Sequence, residues 1–93
     1  MILLPQAERI ALSLIRSHFN LSEMGDEVVL CSDKTIEREA GWVFCYNSKQ
    51  FLATGEFGKM LLGNAPVLVR RQDGSALFIR GDTDVDEALA AVE

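Results

Sequence analysis

Apolar residues recur at Ala7, Ile10, Ala11, Leu14, Ile15 and Phe19, with Glu8, Arg9, Ser13 and Arg16 between them. Steps of three and four put the first set on one side of an α-helix. Pro5 suits the first turn, where a missing N–H costs nothing. Arg16 and His18 fall in the last turn, where positive charge complements the helix dipole. Asn20 is a residue type that takes the left-handed capping conformation.

After the turn at Gly25-Asp26 the period changes. Glu27 to Cys31 reads as a strand, and Ser32-Asp33-Lys34 breaks it. Thr35 to Ala40 reads as the exposed, extended arm of a hairpin. It leads into Gly41–Ser48, where Trp42, Phe44 and Tyr46 alternate with Val43, Cys45 and Asn47. Alternation of aromatic and β-branched residues predicts a strand. Lys49 to Pro66 is irregular yet apolar, punctuated by Gly55, Gly58 and Gly63. It reads as a segment folded back over a sheet face, with a helical turn at Lys59–Leu62. Val67–Arg71 and Ala76–Arg80 are strands joined by the hairpin signal Asp73-Gly74. A last helix starts at Gly81-Asp82-Thr83, with Thr83 or Asp82 as cap and an apolar stripe through Val85, Ala88, Leu89 and Val92.

Short connections predict antiparallel pairing. The expected fold is α+β: a four-stranded antiparallel meander sheet, with the N-terminal and C-terminal helices packed on one face. Residues 1–93 form one domain on this reading. Each strand is apolar on both faces, however: Trp42, Phe44 and Tyr46 against Val43 and Cys45, Val67 and Val69 against Leu68, and Leu77 and Ile79 against Phe78. Two short helices on one face leave the other to the Phe51–Leu62 segment, a second subunit or a partner. A homodimer through that face or an edge strand is one arrangement the pattern permits.

Charge narrows the partners. Fourteen acidic against nine basic residues give a net charge of -5, which opposes nucleic-acid binding and suits a basic protein. The apolar start Met1-Ile2-Leu3-Leu4 lacks a basic flank and is too short to span a membrane. A cytoplasmic location and no membrane partner are expected. Two cysteines fourteen positions apart read as small buried thiols rather than a disulfide framework.

No residue set points to a reaction. His18 is the single histidine; Ser17 beside it is expected to face elsewhere on the helix. Zinc needs three or four Cys or His ligands, and the chain has three such residues, scattered. Asp82, Asp84 and Asp86 have the spacing of a calcium loop, but Glu87 stands where its turn needs glycine. Gly58-Lys59 lacks the remainder of a phosphate loop, with Met60 in place of Ser or Thr. Trp42 reads as core rather than as a stacking platform. The chain is therefore expected to be no enzyme and to carry no cofactor and no metal.

The runs Gly41-Trp42-Val43-Phe44-Cys45-Tyr46-Asn47-Ser48, Phe51-Leu52-Ala53-Thr54-Gly55-Glu56 and Leu62-Gly63-Asn64-Ala65-Pro66-Val67-Leu68-Val69, then Asp73-Gly74, together resemble the immunity protein 35 family, or YrhB-like domains. The resemblance runs from about Glu27 to the final helix. It implies a small bacterial cytoplasmic domain that neutralises a cognate polymorphic toxin by direct binding, without catalytic residues or cofactors. It also implies an alternative, a heat-stable, chaperone-like holdase that binds exposed apolar segments. On the first reading the expected contacts are exposed acids and an aromatic on the hairpin arm and the Gly-rich segment: Asp33, Glu37, Glu39, Glu56 and Phe57.

Overall fold

The computed structural model describes residues 1–19, 21, 25–55, 65–79 and 84–91. Helix α1 spans Leu4–His18. Pro5 lies in its first turn, and the Gln6 side-chain oxygen accepts the Leu3 N–H at 2.8 Å. Ala7, Ala11 and Ile15 are its buried residues. Two alanines at i and i+4 leave room on this side of α1 for the large side chains of the sheet. Arg16 and His18 occupy the last turn as expected.

Six strands follow: β1 (Val28–Leu30), β2 (Ile36–Arg38), β3 (Gly41–Phe44), β4 (Tyr46–Ser48), β5 (Val67–Arg70) and β6 (Ala76–Phe78). They form two antiparallel sheets, one of β1 and β4, the other in the order β2-β3-β5-β6. The larger sheet thus has the expected four antiparallel strands, but its first is the hairpin arm at Ile36–Arg38. The aromatic run at Gly41–Ser48 is not one strand. It turns a corner at Cys45, so β3 pairs with β2 and β5 while β4 pairs with β1.

The placement of the helices corrects the expectation of one shared face. Trp42, Phe44, Val67 and Val69 pack with Ala7, Ala11 and Ile15 of α1, joined by Val28 and Tyr46. The alternate residues Val43 and Leu68 pack, together with Ile79, against Leu89 of helix α3 (Val85–Ala91). Ile36, Ala40, Val85 and Ala88 flank that second cluster. One helix therefore covers each face, which is the simplest answer to strands apolar on both sides. Leu77 stays 41% exposed at the rim.

The capping of α3 also differs in detail. Asp84 accepts the backbone N–H groups of Asp86 and Glu87 at 2.9 and 3.1 Å; a cap of this kind stabilises by about 1 kcal/mol. Asp82, Thr83 and Val92 lie outside the described residues. Arg38 of β2 reaches Asp86 at 2.9 Å and ties the arm to α3, though so exposed a pair contributes only about 0–1 kcal/mol.

Helix α2 (Lys49–Thr54) occupies part of the stretch expected to be irregular. Ser48 caps it, its Oγ accepting the Phe51 N–H at 3.1 Å. Gly55 ends it at φ 76°, and its N–H donates to Phe51 O at 2.7 Å. The expected turn at Lys59–Leu62 lies outside the described residues, as does most of the Phe51–Leu62 cover.

Candidate interaction surface

The segment between the two sheets carries most of the acids predicted to meet a partner. Ser32–Lys34 forms a single tight turn, β2 follows, and Glu39-Ala40 turns the chain into β3. Asp33, Glu37 and Glu39 are all exposed. Asp33 precedes β2 and Glu39 follows it, so these two stand at opposite ends of the arm. The acids are spread along the arm and do not converge on a point. Glu56 and Phe57 lie outside the described residues.

Glu37 is more than a surface charge. The register sets it opposite Trp42, and its Oε2 accepts the Trp42 indole N–H at 3.0 Å and an Arg71 N–H at 3.2 Å. The Arg71 guanidinium lies 4.3 Å from the centre of the Trp42 ring, within cation–π range. Arg71 also donates to Arg38 O at 2.9 Å and Glu39 O at 3.0 Å, and its own backbone N–H to Ala40 O at 2.9 Å. Trp42 is thus core, as expected, at 1% exposure, with its one polar atom at the rim. Arg71 clamps the β2–β3 turn and with it Glu37 and Glu39.

Composition could not single out Arg71. The available signal was a hairpin register that put Glu37 across from Trp42, with Arg71 two residues beyond the residue paired to Trp42, Val69. An open depression of about 470 Å³ lies beside the turn, lined by Met1, Glu39, Ala40, Arg70, Arg71 and Gln72.

The hydrogen bonds from Arg71 and then Trp42 hold the Glu37 carboxyl below the ordinary carboxylate range, against a smaller opposing effect of burial. A depressed folded-state pKa stabilises in full above the unfolded value, about 4.3 for glutamate. That contribution is lost as pH falls through the lower, folded value. Glu37→Gln should therefore destabilise by a constant amount at neutral pH, and the gap to wild type should close in acid below about pH 4. Urea midpoints of both proteins between pH 7 and pH 3 measure it; a gap independent of pH would mean the carboxylate charge plays no part.

Other reactive-looking groups resolve into structure. Ser17 and His18 do not face apart as expected: Ser17 Oγ lies 3.1 Å from His18 Nδ1. Yet Ser17 Oγ donates to Leu14 O at 2.6 Å, and His18 Nδ1 is 3.2 Å from the same carbonyl. Both side chains therefore lie within hydrogen-bond reach of the helix backbone at Leu14. The His18 ring meets Phe78 edge-on, with centroids 4.7 Å apart.

Ser48 Oγ donates a short hydrogen bond to Asp26, whose Oδ1 accepts the N–H groups of Glu27 at 2.8 Å and Gln50 at 3.1 Å. This network braces the start of α2. Burial pushes the Tyr46 hydroxyl up to about 12. Among the described residues no group of three or more His, Cys, Asp or Glu could hold a metal ion, and no helix is long and apolar enough to cross a membrane.

Comparison with known proteins adds what geometry alone does not. The model of the family described as Immunity protein 35 matches residues 10–90. The chain is also 41% identical over 53 residues to a protein of Escherichia coli (strain K12) described as Uncharacterized protein YrhB. That match takes in 57% of this chain and spans 56% of the relative's length. No solved structure matches the chain.

Proposed function

The chain belongs to the immunity protein 35 family, and from that premise we propose that it neutralises a cognate toxin of a bacterial polymorphic toxin system by binding it directly, without catalysis. The family match over residues 10–90 carries the reading. The arm supports it: exposed carboxylates, with its β2–β3 turn held in place by Arg71 and Trp42. A preformed arm loses little conformational freedom on docking. With a net charge of -5, it would steer toward a basic toxin surface.

Asp33 and Glu39 are the acids to test, because Glu37 also holds the arm together. The tagged protein would be recovered from cells of its own organism at high salt, and its bound partners identified by mass spectrometry. One partner carrying a toxin domain is the expected result. The double variant Asp33→Lys/Glu39→Lys should then associate with that partner on the order of tenfold more slowly at low salt, and the difference should shrink at high salt. A mixture of unrelated unfolded chains would instead favour the holdase reading. Recovery of the protein alone would overturn direct binding, and an unchanged rate in the double variant would remove the arm from the interface.

A further inference from the structure

The end of the β1–β4 ladder brings Cys45 beside Cys31. The pairing of β1 with β4 runs Val28↔Ser48, Val29↔Asn47 and Leu30↔Tyr46. The ladder ends there, and one step further along the same register the Cys31 N–H donates to Cys45 O at 2.9 Å. Residues opposed at such a hydrogen-bonded position have Cα atoms about 5.5 Å apart and side chains on the same face. A disulfide requires a Cα separation of about 4.4–6.8 Å.

The face is also the accessible one. Val28, Leu30 and Tyr46 turn toward α1, so the alternate residues Cys31 and Cys45 turn away from it. Both are free thiols and partly exposed, and both line one small cavity of about 220 Å³ with Lys34, Asn47 and Pro66.

We infer that Cys31 and Cys45 form a cross-strand dithiol, a modification site that a small-molecule disulfide such as oxidised glutathione closes to an intramolecular bridge. One protein thiolate attacks a glutathione sulfur, breaking its S–S bond and releasing one reduced glutathione. The second thiolate attacks the protein sulfur of the mixed disulfide and releases the other. The bond between the two Sγ atoms forms as the glutathione disulfide is spent; two electrons and the two thiol protons end on glutathione. Burial raises the Cys31 pKa, Lys34 opposes this, and Cys45 and Asp33 add to it. The bridge encloses Asp33, Glu37 and Glu39 with the whole β2–β3 hairpin. Its bearing on toxin binding rests on the interface reading above; its formation does not.

The test is incubation of the folded full chain with oxidised glutathione, then iodoacetamide, intact mass and peptide mapping. A urea-denatured sample treated in parallel sets the time over which both thiols react. The expected product is a monomer two hydrogens lighter than the reduced chain, with both iodoacetamide adducts lost and the Cys31 and Cys45 peptides joined. Dithiothreitol should restore both adducts. Cys45→Ser should instead leave a glutathione adduct on Cys31. Stable glutathione adducts on both wild-type cysteines, a disulfide-linked dimer, or two unreacted thiols over the time set by the denatured sample would each overturn the inference.

Discussion

Replacing Gly41 by alanine is expected to cost a substantial share of the protein's stability. A Cβ at this position would lie 2.2 Å from Val69 O, 3.1 Å from Val69 C and 3.2 Å from Arg70 Cα. All three atoms belong to the backbone of β5, the strand that β3 pairs with through Gly41↔Arg70 and Trp42↔Val69. No side chain can swing aside to make room. Relief requires β3 to move off β5, which opens the ladder in the middle of the larger sheet. Overpacking commonly destabilises by about 1–3 kcal/mol; a backbone clash between the two central strands should reach about 3 kcal/mol or more. A domain of this size has roughly 5–14 kcal/mol in total. Urea unfolding followed by circular dichroism measures the change, and a loss below about 1 kcal/mol would mean the two strands separate more easily than their pairing implies.

Trp42→Ala should have an effect of similar size, about 3–5 kcal/mol for an aromatic side chain removed from a packed core. The indole fills the space between α1 and the sheet, in one cluster with Ala7, Ala11, Phe44 and Val69. It also holds the arm, through its N–H to Glu37 and its face beneath Arg71. Trp42→Phe separates these roles. Most of the packing and a ring face survive, while the N–H is lost, so that variant should lose roughly 1 kcal/mol for the hydrogen bond and a further amount for the smaller ring. Circular dichroism serves again, since either change removes the only tryptophan. Equal losses in the two variants would show that the polar rim, not the buried ring, carries the stabilisation.

Much of this fold is legible in the residues, and the parts that are not fail for physical reasons. The first helix reads correctly because its four turns repeat one pattern. The Asp73-Gly74 hairpin also reads directly: Gly74 sits at φ 75°, and Asp73 accepts the Ser75 N–H at 3.0 Å. The corner at Cys45 is invisible because alternation runs unbroken through it. Trp42, Phe44 and Tyr46 all face α1, whichever sheet each belongs to. Helix α2 is too short for a helical period to show, and its signals, Ser48 before it and Gly55 after it, are single residues. The opposite placement of α1 and α3 was implied by strands apolar on both faces, yet a stripe of apolar residues does not say which side of a sheet it will meet.

The candidate site divides in the same way. Asp33 and Glu39 lie exposed where a polar arm between two apolar strands suggested. Glu37 is tied to Trp42 and Arg71, and a partner that distant in the chain, Arg71, is set by register rather than by local pattern.

The pairing of β3 with β5 carries a consequence for the order in which the chain folds. Phe44 meets Val67 and Gly41 meets Arg70, so every partner in that ladder is more than twenty residues away. By contrast β2 meets β3, and β5 meets β6, across short turns. The two hairpins can form early, each closing a small loop, whereas their joining must first overcome the entropy of a long one. The central ladder is then the last major piece of backbone pairing to form, and the native core appears only when both hairpins have found each other.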